Sequence, residues 1–118
     1  FYPVQIFDQL QLERGGGAFR FTCNTDRVPT GPTNLVYRAA MLFFEKAAIQ
    51  PEGHIHLVKN LPAEAGLGAG SANAAFTLRA LNREYDSPLE ETQLSQLASL
   101  LGSDVPFFLQ HIDLLKKH

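Results

Sequence analysis

Apolar residues near the start of the chain share one parity: Val4, Ile6, Leu10 and Leu12, with Asp8 interrupting the series. A period of two predicts a half-buried strand, because successive side chains point to opposite faces. Gly15-Gly16-Gly17 predicts a flexible turn that ends it. Phe19, Phe21 and Cys23 then alternate with Arg20 and Thr22, which predicts a second strand paired antiparallel with the first. Asn24, Asp26, Pro29, Gly31 and Pro32 supply turn chemistry to the loop that follows.

The period then changes. Leu35, Ala39, Leu42, Phe43 and Ala47 recur at helical steps and predict one apolar stripe, with Thr33 or Asn34 as N-cap and Pro51 and Gly53 as the stop. A short strand comes next, with Ile55, Leu57 and Asn60 on one face and His54, His56 and Val58 on the other. It runs into a loop of small residues. A second helix is predicted from near Ser71 through Ala74, Ala75, Leu78 and Leu81 to about Tyr85. Pro88 and Glu90 open a third, carrying Leu94, Leu97, Leu100 and Leu101 and ended by Gly102. Ser103 to Phe108 reads as a turn entering an apolar segment. The order is two strands, a helix, a strand and two helices. That predicts an α/β or α+β domain with helices packed on a mixed sheet.

At 118 residues the chain suits one domain with a modest core. The net charge of −2 gives no bulk attraction to nucleic acid or anionic lipid. No apolar run approaches the roughly 20 residues that span a bilayer. Cys23, the single cysteine, excludes an internal disulfide and a multi-cysteine zinc cluster, and fits a reducing, cytoplasmic setting as a small buried apolar residue.

The stretch from Pro62 to Ala75 carries the chemistry. It holds Gly66, Gly68 and Gly70 between a predicted strand and a predicted helix. Glycines allow tight turns and close approach of the backbone to a ligand. Successive N–H groups and the positive end of the next helix then suit an anion. Ser71, at the helix start, can add a hydroxyl to a phosphate oxygen or to a water on Mg²⁺. The pattern specifies polyphosphate without saying which. It is not a Walker loop, because no lysine follows Gly70, and it misses the dinucleotide fingerprint because the third glycine comes one place early. The plainer alternative is a close helix–strand crossing that requires small residues.

Pro62, Gly66, Leu67, Gly68, Gly70, Ser71, Ala74 and Ala75 match P-x-x-x-G-L-G-[SG]-G-[SA]-[SA]-x-A-[AV], so the loop resembles that of the GHMP small-molecule kinases. Three further blocks resemble the diphosphocytidyl-methylerythritol kinase branch: Gly31 to Ala40, Leu78 to Asn82, and Leu101 to Phe108, the last like L-G-[SA]-D-V-P-F-F. The resemblance covers about residues 6 to 109. It implies an α+β, two-layer N-terminal kinase domain, incomplete, with helices on a mixed, mostly antiparallel sheet. The implied activity is ATP-dependent phosphorylation of the methylerythritol 2-hydroxyl in the non-mevalonate isoprenoid route, with ATP and Mg²⁺, in the bacterial cytoplasm or plastid stroma. The implied partner is a small-molecule substrate, with neither nucleic acid nor membrane.

By the same resemblance Asp104 is the catalytic carboxylate, a residue that otherwise reads as a turn cap. Pro62, Gly66, Leu67, Gly68, Ala69, Gly70, Ser71 and Ala72 form the triphosphate loop, and Asn34 and Lys59 lie on the adenine side. Ala69 and Ala72 stand where the family often has glycine and serine, and Glu64 is expected to point to solvent. His54 and His56 lack a third ligand and read as surface strand residues, and no metal site is assigned. The family's K-x-N-L strand and G-Y-H segment would precede Phe1, and a ferredoxin-like second domain would follow; Gln110 to His118 does not align. These features predict one wall of an active-site cleft, exposed apolar surface, and weak or absent activity in this chain alone. The alternatives are another GHMP kinase, acting on mevalonate, homoserine or a sugar; a non-catalytic nucleotide-binding remnant; and a structural domain.

Overall fold

A computed structural model of the chain describes residues 8–59 and 69–115. In chain order the elements are β1 (Gln9–Ala18), β2 (Arg20–Cys23), α1 (Leu35–Ala47), β3 (Glu52–Val58), α2 (Ala69–Glu84), α3 (Glu91–Leu101) and α4 (Val105–Leu115). The architecture is α+β, with helices on one face of a small mixed sheet.

The sheet order is β1-β3-β2. The antiparallel partner of β1 is β3, with Leu10 opposite Leu57 and Leu12 opposite Ile55. β2 runs parallel to β3, setting Phe21 beside Ile55 and Cys23 beside Leu57. The expected β1–β2 pairing is therefore wrong, and so is the expected stop at the glycines. β1 continues through Gly15, Gly16 and Gly17, at φ of 81°, 81° and 91°, and its register with β3 shifts between Glu13 and Ala18. Parallel neighbours need a crossover rather than a tight turn. Helix α1 supplies it between β2 and β3. In this order β3 buries Ile55 and Leu57 with apolar neighbours on both sides.

Gly53 does not stop α1; it lies inside β3 at φ 93°, where a Cβ would come within 2.5 Å of the Glu13 carbonyl oxygen. The helix ends earlier, at Ala48, whose left-handed backbone directs its N–H to the Glu45 and Phe44 carbonyls.

The buried face of α1 is Val36, Ala39, Ala40, Phe43 and Phe44. Phe19, beyond β1, stacks edge-on against Tyr37 and Phe44, with centroids 5.9 and 5.8 Å apart, and so joins sheet to helix. Helix α2 packs against α1, α3 and α4. It buries Ala74, Ala75, Leu78 and Leu81. In α3 the buried residues are Leu94, Leu97, Ala98 and Leu101; Leu100, grouped with these leucines in the sequence, is 65% exposed. Phe107 on α4 is also exposed, at 47%.

The segment after Asp104, expected to be a turn entering an apolar segment, is helix α4. Arg79 holds it in place. Its buried guanidinium donates to the Leu109 carbonyl at 3.2 and 2.9 Å and pairs with Glu91, joining α2, α3 and α4. That contact holds the Glu91 carboxyl below its usual range. Asn82 grips both the N–H and the carbonyl of Leu89, fixing the α2–α3 turn.

His54 and His56 lie on the sheet face opposite Ile55 and Leu57, as expected, but both are half-buried. The Thr22 hydroxyl sits between them, 2.6 Å from His54 Nε2 and 2.7 Å from His56 Nδ1. One hydroxyl proton serves one ring nitrogen, so the other ring donates its own N–H to the oxygen.

A polar clasp joins the far end of β1 to the end of α2. Tyr85 donates its hydroxyl to Glu52, Gly15 N–H donates to the other Glu52 oxygen at 2.7 Å, and the Arg14 guanidinium lies 4.1 Å over the Tyr85 ring. Burial, and then the bond to Glu52, push the Tyr85 hydroxyl from 10.0 up to about 12. The same bond, helped by Gly15 and Arg14, lowers Glu52. A raised pKa stabilises the fold fully below the unfolded value and ceases to do so above the folded one. Tyr85→Phe should therefore be less stable than the unaltered chain below pH 10, with the difference shrinking as pH rises from 10.0 to about 12. Urea unfolding across that range tests this; a constant difference would show that the hydroxyl is not coupled to folding.

Candidate functional site

Three chain segments meet beside the first turn of α2. The first is the loop before α1. Asn34 caps that helix: its Oδ1 accepts the Val36 N–H at 2.8 Å, while its Nδ2 donates to the Pro29 carbonyl at 2.9 Å. Of the two N-cap candidates, Asn34 is the one used, and its second bond pins the loop against the helix.

The second segment is the end of β3. Asn24, just beyond β2, accepts the Lys59 N–H at 2.8 Å and donates to its carbonyl at 3.4 Å. The Asn24 N–H also donates to Leu57, at 3.1 Å. With the main chain held twice, the Lys59 side chain has a fixed origin. Its ammonium lies 2.8 Å from Asp8 Oδ2, and the two side chains are 9% and 2% exposed.

The third segment is α2 itself. Gly70 is exposed in its first turn, Ser71 is half-buried, and Ala72 is buried. The Ala72 methyl belongs to the packing face, so any part it takes in binding is through its main chain. One residue on, the buried Asn73 donates to Asp8 Oδ2 at 3.0 Å, and the Thr77 hydroxyl donates to the Asn73 carbonyl at 2.8 Å.

Between these segments lies a cleft of about 250 Å³. Val28, Pro29, Leu35, Val36 and Leu57 give it apolar walls, and Arg27, Asn34, Lys59 and Asn73 give it polar groups, with Gly70 at the edge. A second cleft of about 310 Å³ is lined by Asp8, Gln9, Leu10, Gln11, Asn73 and Phe76. Asn73 lines both. Apolar walls with a few fixed polar groups suit a flat, heteroatom-bearing ring. The opening turn of α2 adds N–H groups that have no partner within the helix and a positive dipole end, which favour an anion.

The structure thus brings Asn34, Lys59 and Gly70 to one cleft. Pro62, Gly66, Leu67 and Gly68 lie outside the described residues, as do Glu64 and Asn60. Asp104 is exposed at the mouth of α4, where its carbonyl accepts the Phe108 N–H at 3.4 Å; it lines neither cleft. Among the described residues no three His, Cys, Asp or Glu side chains group to hold a metal. Nor is any helix there long and apolar enough to cross a membrane.

Sequence reasoning passed over Asp8 and Asn73. Each carried a signal. Asp8 broke a period-two apolar series, and Asn73 sits within a helix among buried alanines. A buried polar group at such a place needs a partner, and these two partner each other.

These features define a class: a small α+β domain in which a helix N-terminus opens on a cleft with apolar walls. Residues 34–111 match the GHMP kinases N terminal domain, and the chain belongs to that family. It is 40% identical over 110 residues to the 4-diphosphocytidyl-2-C-methyl-D-erythritol kinase of Persephonella marina, covering 93% of this chain and 40% of that protein. The kinase of the same name from Fusobacterium nucleatum is 38% identical over 112 residues, covering 92% and 38%. A crystal structure of 4-(cytidine 5'-diphospho)-2C-methyl-D-erythritol kinase superposes with a TM-score of 0.67 and 41% identity, over 87% of this chain and 35% of that one. Homoserine kinase from Cytophaga hutchinsonii, at 24% identity and a TM-score of 0.59 over 77% of this chain and 30% of that one, shares the fold. The chain therefore spans well under half the length of the curated relatives it matches.

Gly70 lies in helix, and a Cβ there would meet the Leu35 Cδ1 at an ordinary 3.7 Å. Gly70→Ala should leave folding stability unchanged or raise it by up to about 1 kcal/mol. Denaturant unfolding checks this, and a clear loss of stability would mean that the backbone there is not helical.

Proposed function

We propose that this chain is the nucleotide-binding part of an ATP-dependent kinase that phosphorylates the 2-hydroxyl of 4-diphosphocytidyl-2-C-methyl-D-erythritol in the non-mevalonate isoprenoid pathway, in a bacterial cytoplasm or plastid stroma. The observation that carries the reading is the convergence of Asn34, Lys59 and Gly70 on one cleft at the opening turn of α2. The names of the relatives supply the substrate.

In this reading the adenine lies against the apolar walls, near Asn34 and Lys59. An ammonium has three hydrogens, and Asp8 takes one. The phosphates run toward Gly70 and Ser71, with Pro62, Gly66, Leu67, Gly68, Ala69 and Ala72 completing the loop through main-chain groups and small size. A Mg²⁺ ion bound with the triphosphate would offset its charge. Phosphoryl transfer asks the protein chiefly for positioning and charge neutralisation. Asp104 orients the substrate hydroxyl and accepts its proton while the hydroxyl oxygen bonds to the γ-phosphorus and ADP leaves. Asp104 is exposed at the start of α4 and so open to a substrate hydroxyl.

Two measurements test the reading. Calorimetry of the folded chain should show saturable binding of MgADP, competed by MgATP; absence of binding would overturn it. In a preparation that transfers phosphate from ATP to the diphosphocytidyl substrate, Asp104→Asn should lower turnover roughly 10²- to 10⁴-fold, with MgADP affinity unchanged. Unchanged turnover would remove Asp104 from the mechanism.

A further inference from the structure

The Asp8–Lys59 pair is an unusual choice for the place it occupies. Both side chains are almost wholly buried, at 2% and 9% exposure. Taking two charges out of water is costly, and apolar residues of similar size often do as well or better for stability. Such a pair is a poor stabiliser, yet it stands where the two clefts adjoin. Lys59 lines the first, Asp8 lines the second, and Asn73 lines both.

The geometry gives the carboxylate a specific task. One oxygen, Asp8 Oδ2, accepts from the Lys59 ammonium at 2.8 Å and from the Asn73 carboxamide at 3.0 Å. Lys59 follows β3, and Asn73 belongs to the start of α2. These two elements frame the cleft, and a single atom ties them. The main chain of Lys59 is already fixed by Asn24, and the Thr77 hydroxyl bonds the carbonyl of Asn73. The position of the ammonium is therefore set from both ends of its side chain.

We propose that Asp8 is a positioning residue of the nucleotide cleft, fixing the Lys59 ammonium between β3 and α2 so that a nucleoside di- or triphosphate meets a preset cation. This rests on the nucleotide reading above. Asp8 acts through Lys59 and is assigned no contact with the nucleotide. A long lysine chain loses rotamer freedom when it engages a ligand, and holding it beforehand removes that cost from binding. The competing role is structural: Asp8 would merely dock the start of β1 on β3 and α2, and its loss would weaken folding without a specific effect on the ligand.

A double-mutant cycle separates the two roles. MgADP affinity would be measured by calorimetry for the unaltered 118-residue chain, Asp8→Asn, Lys59→Met and the double variant, each shown to be folded by circular dichroism at the assay temperature. Asp8→Asn should weaken binding about tenfold when Lys59 is present and less than about twofold in the Lys59→Met background. Equal losses in both backgrounds, or no loss in either, would overturn the positioning role. No binding by the unaltered chain would overturn the nucleotide reading and this inference together, whereas binding with additive losses overturns this inference alone.

A second measurement needs no variant. Reductive methylation of Lys59 in the unaltered chain should slow roughly threefold or more on adding MgADP, with the exposed Lys46 of α1 as internal control. Equal slowing of both lysines, or of neither, would show that Lys59 does not meet the nucleotide.

Discussion

Helix α2 is packed along its flank and open at its first turn, and the cleft depends on that combination. Ala74, Ala75 and Leu78 are fully buried, and Leu81 nearly so. Burying one leucine of this kind is worth roughly 1.5–3 kcal/mol, so the flank anchors the helix firmly. Small residues at Ala74 and Ala75 leave room for neighbouring elements, and Arg79 fastens the middle of the helix to α3 and α4. A helix held this way along its body cannot easily withdraw its end. Gly70 and Ser71 are consequently presented at a fixed place, at the positive end of the dipole, where N–H groups have no partner within the helix.

The remaining walls are positioned by polar contacts. Asn34 and Asn24 each use both ends of the carboxamide to tie a loop to an element terminus. Asp8 ties the Lys59 ammonium to the helix. Apolar packing thus sets where the elements lie, and a few asparagine and aspartate side chains set where the cleft's own groups lie. That division suits a site whose chemistry consists mainly of holding a charged ligand in one orientation.

How far this was legible in the sequence depended on whether the signal was local. Helix α1, strand β3 and the outward histidines follow from periodicity, and Gly102 from its place after an apolar run. The strand order was not legible, because β1 and β2 are neighbours in sequence and only the burial of Ile55 and Leu57 on both sides explains why β3 lies between them. Gly53 read as a helix stop because punctuation by glycine looks alike in a stop and in a strand that passes close to a carbonyl. Helix α4 was missed because an aspartate and a proline at its start resemble a turn, and its apolar residues carried no long repeat. In the site, the glycine-rich stretch was legible as an anion loop from its glycines between a strand and a helix, whereas the adenine-side roles of Asn34 and Lys59 came from resemblance to a family. Asp8 and Asn73 were visible as polar interruptions, but their partnership spans 65 residues and required the fold.

The proposed nucleotide would sit at the opening turn of α2, between Asn34 and Lys59. The direct measurement is a titration of the ¹⁵N-labelled chain with MgADP, followed by amide shifts. A nucleotide bound there should place the largest changes on Gly70, Ser71, Asn34 and Lys59, while Leu94 and Leu97 of α3 stay unmoved. Changes concentrated on α3 and α4, or none at saturating MgADP, would contradict it.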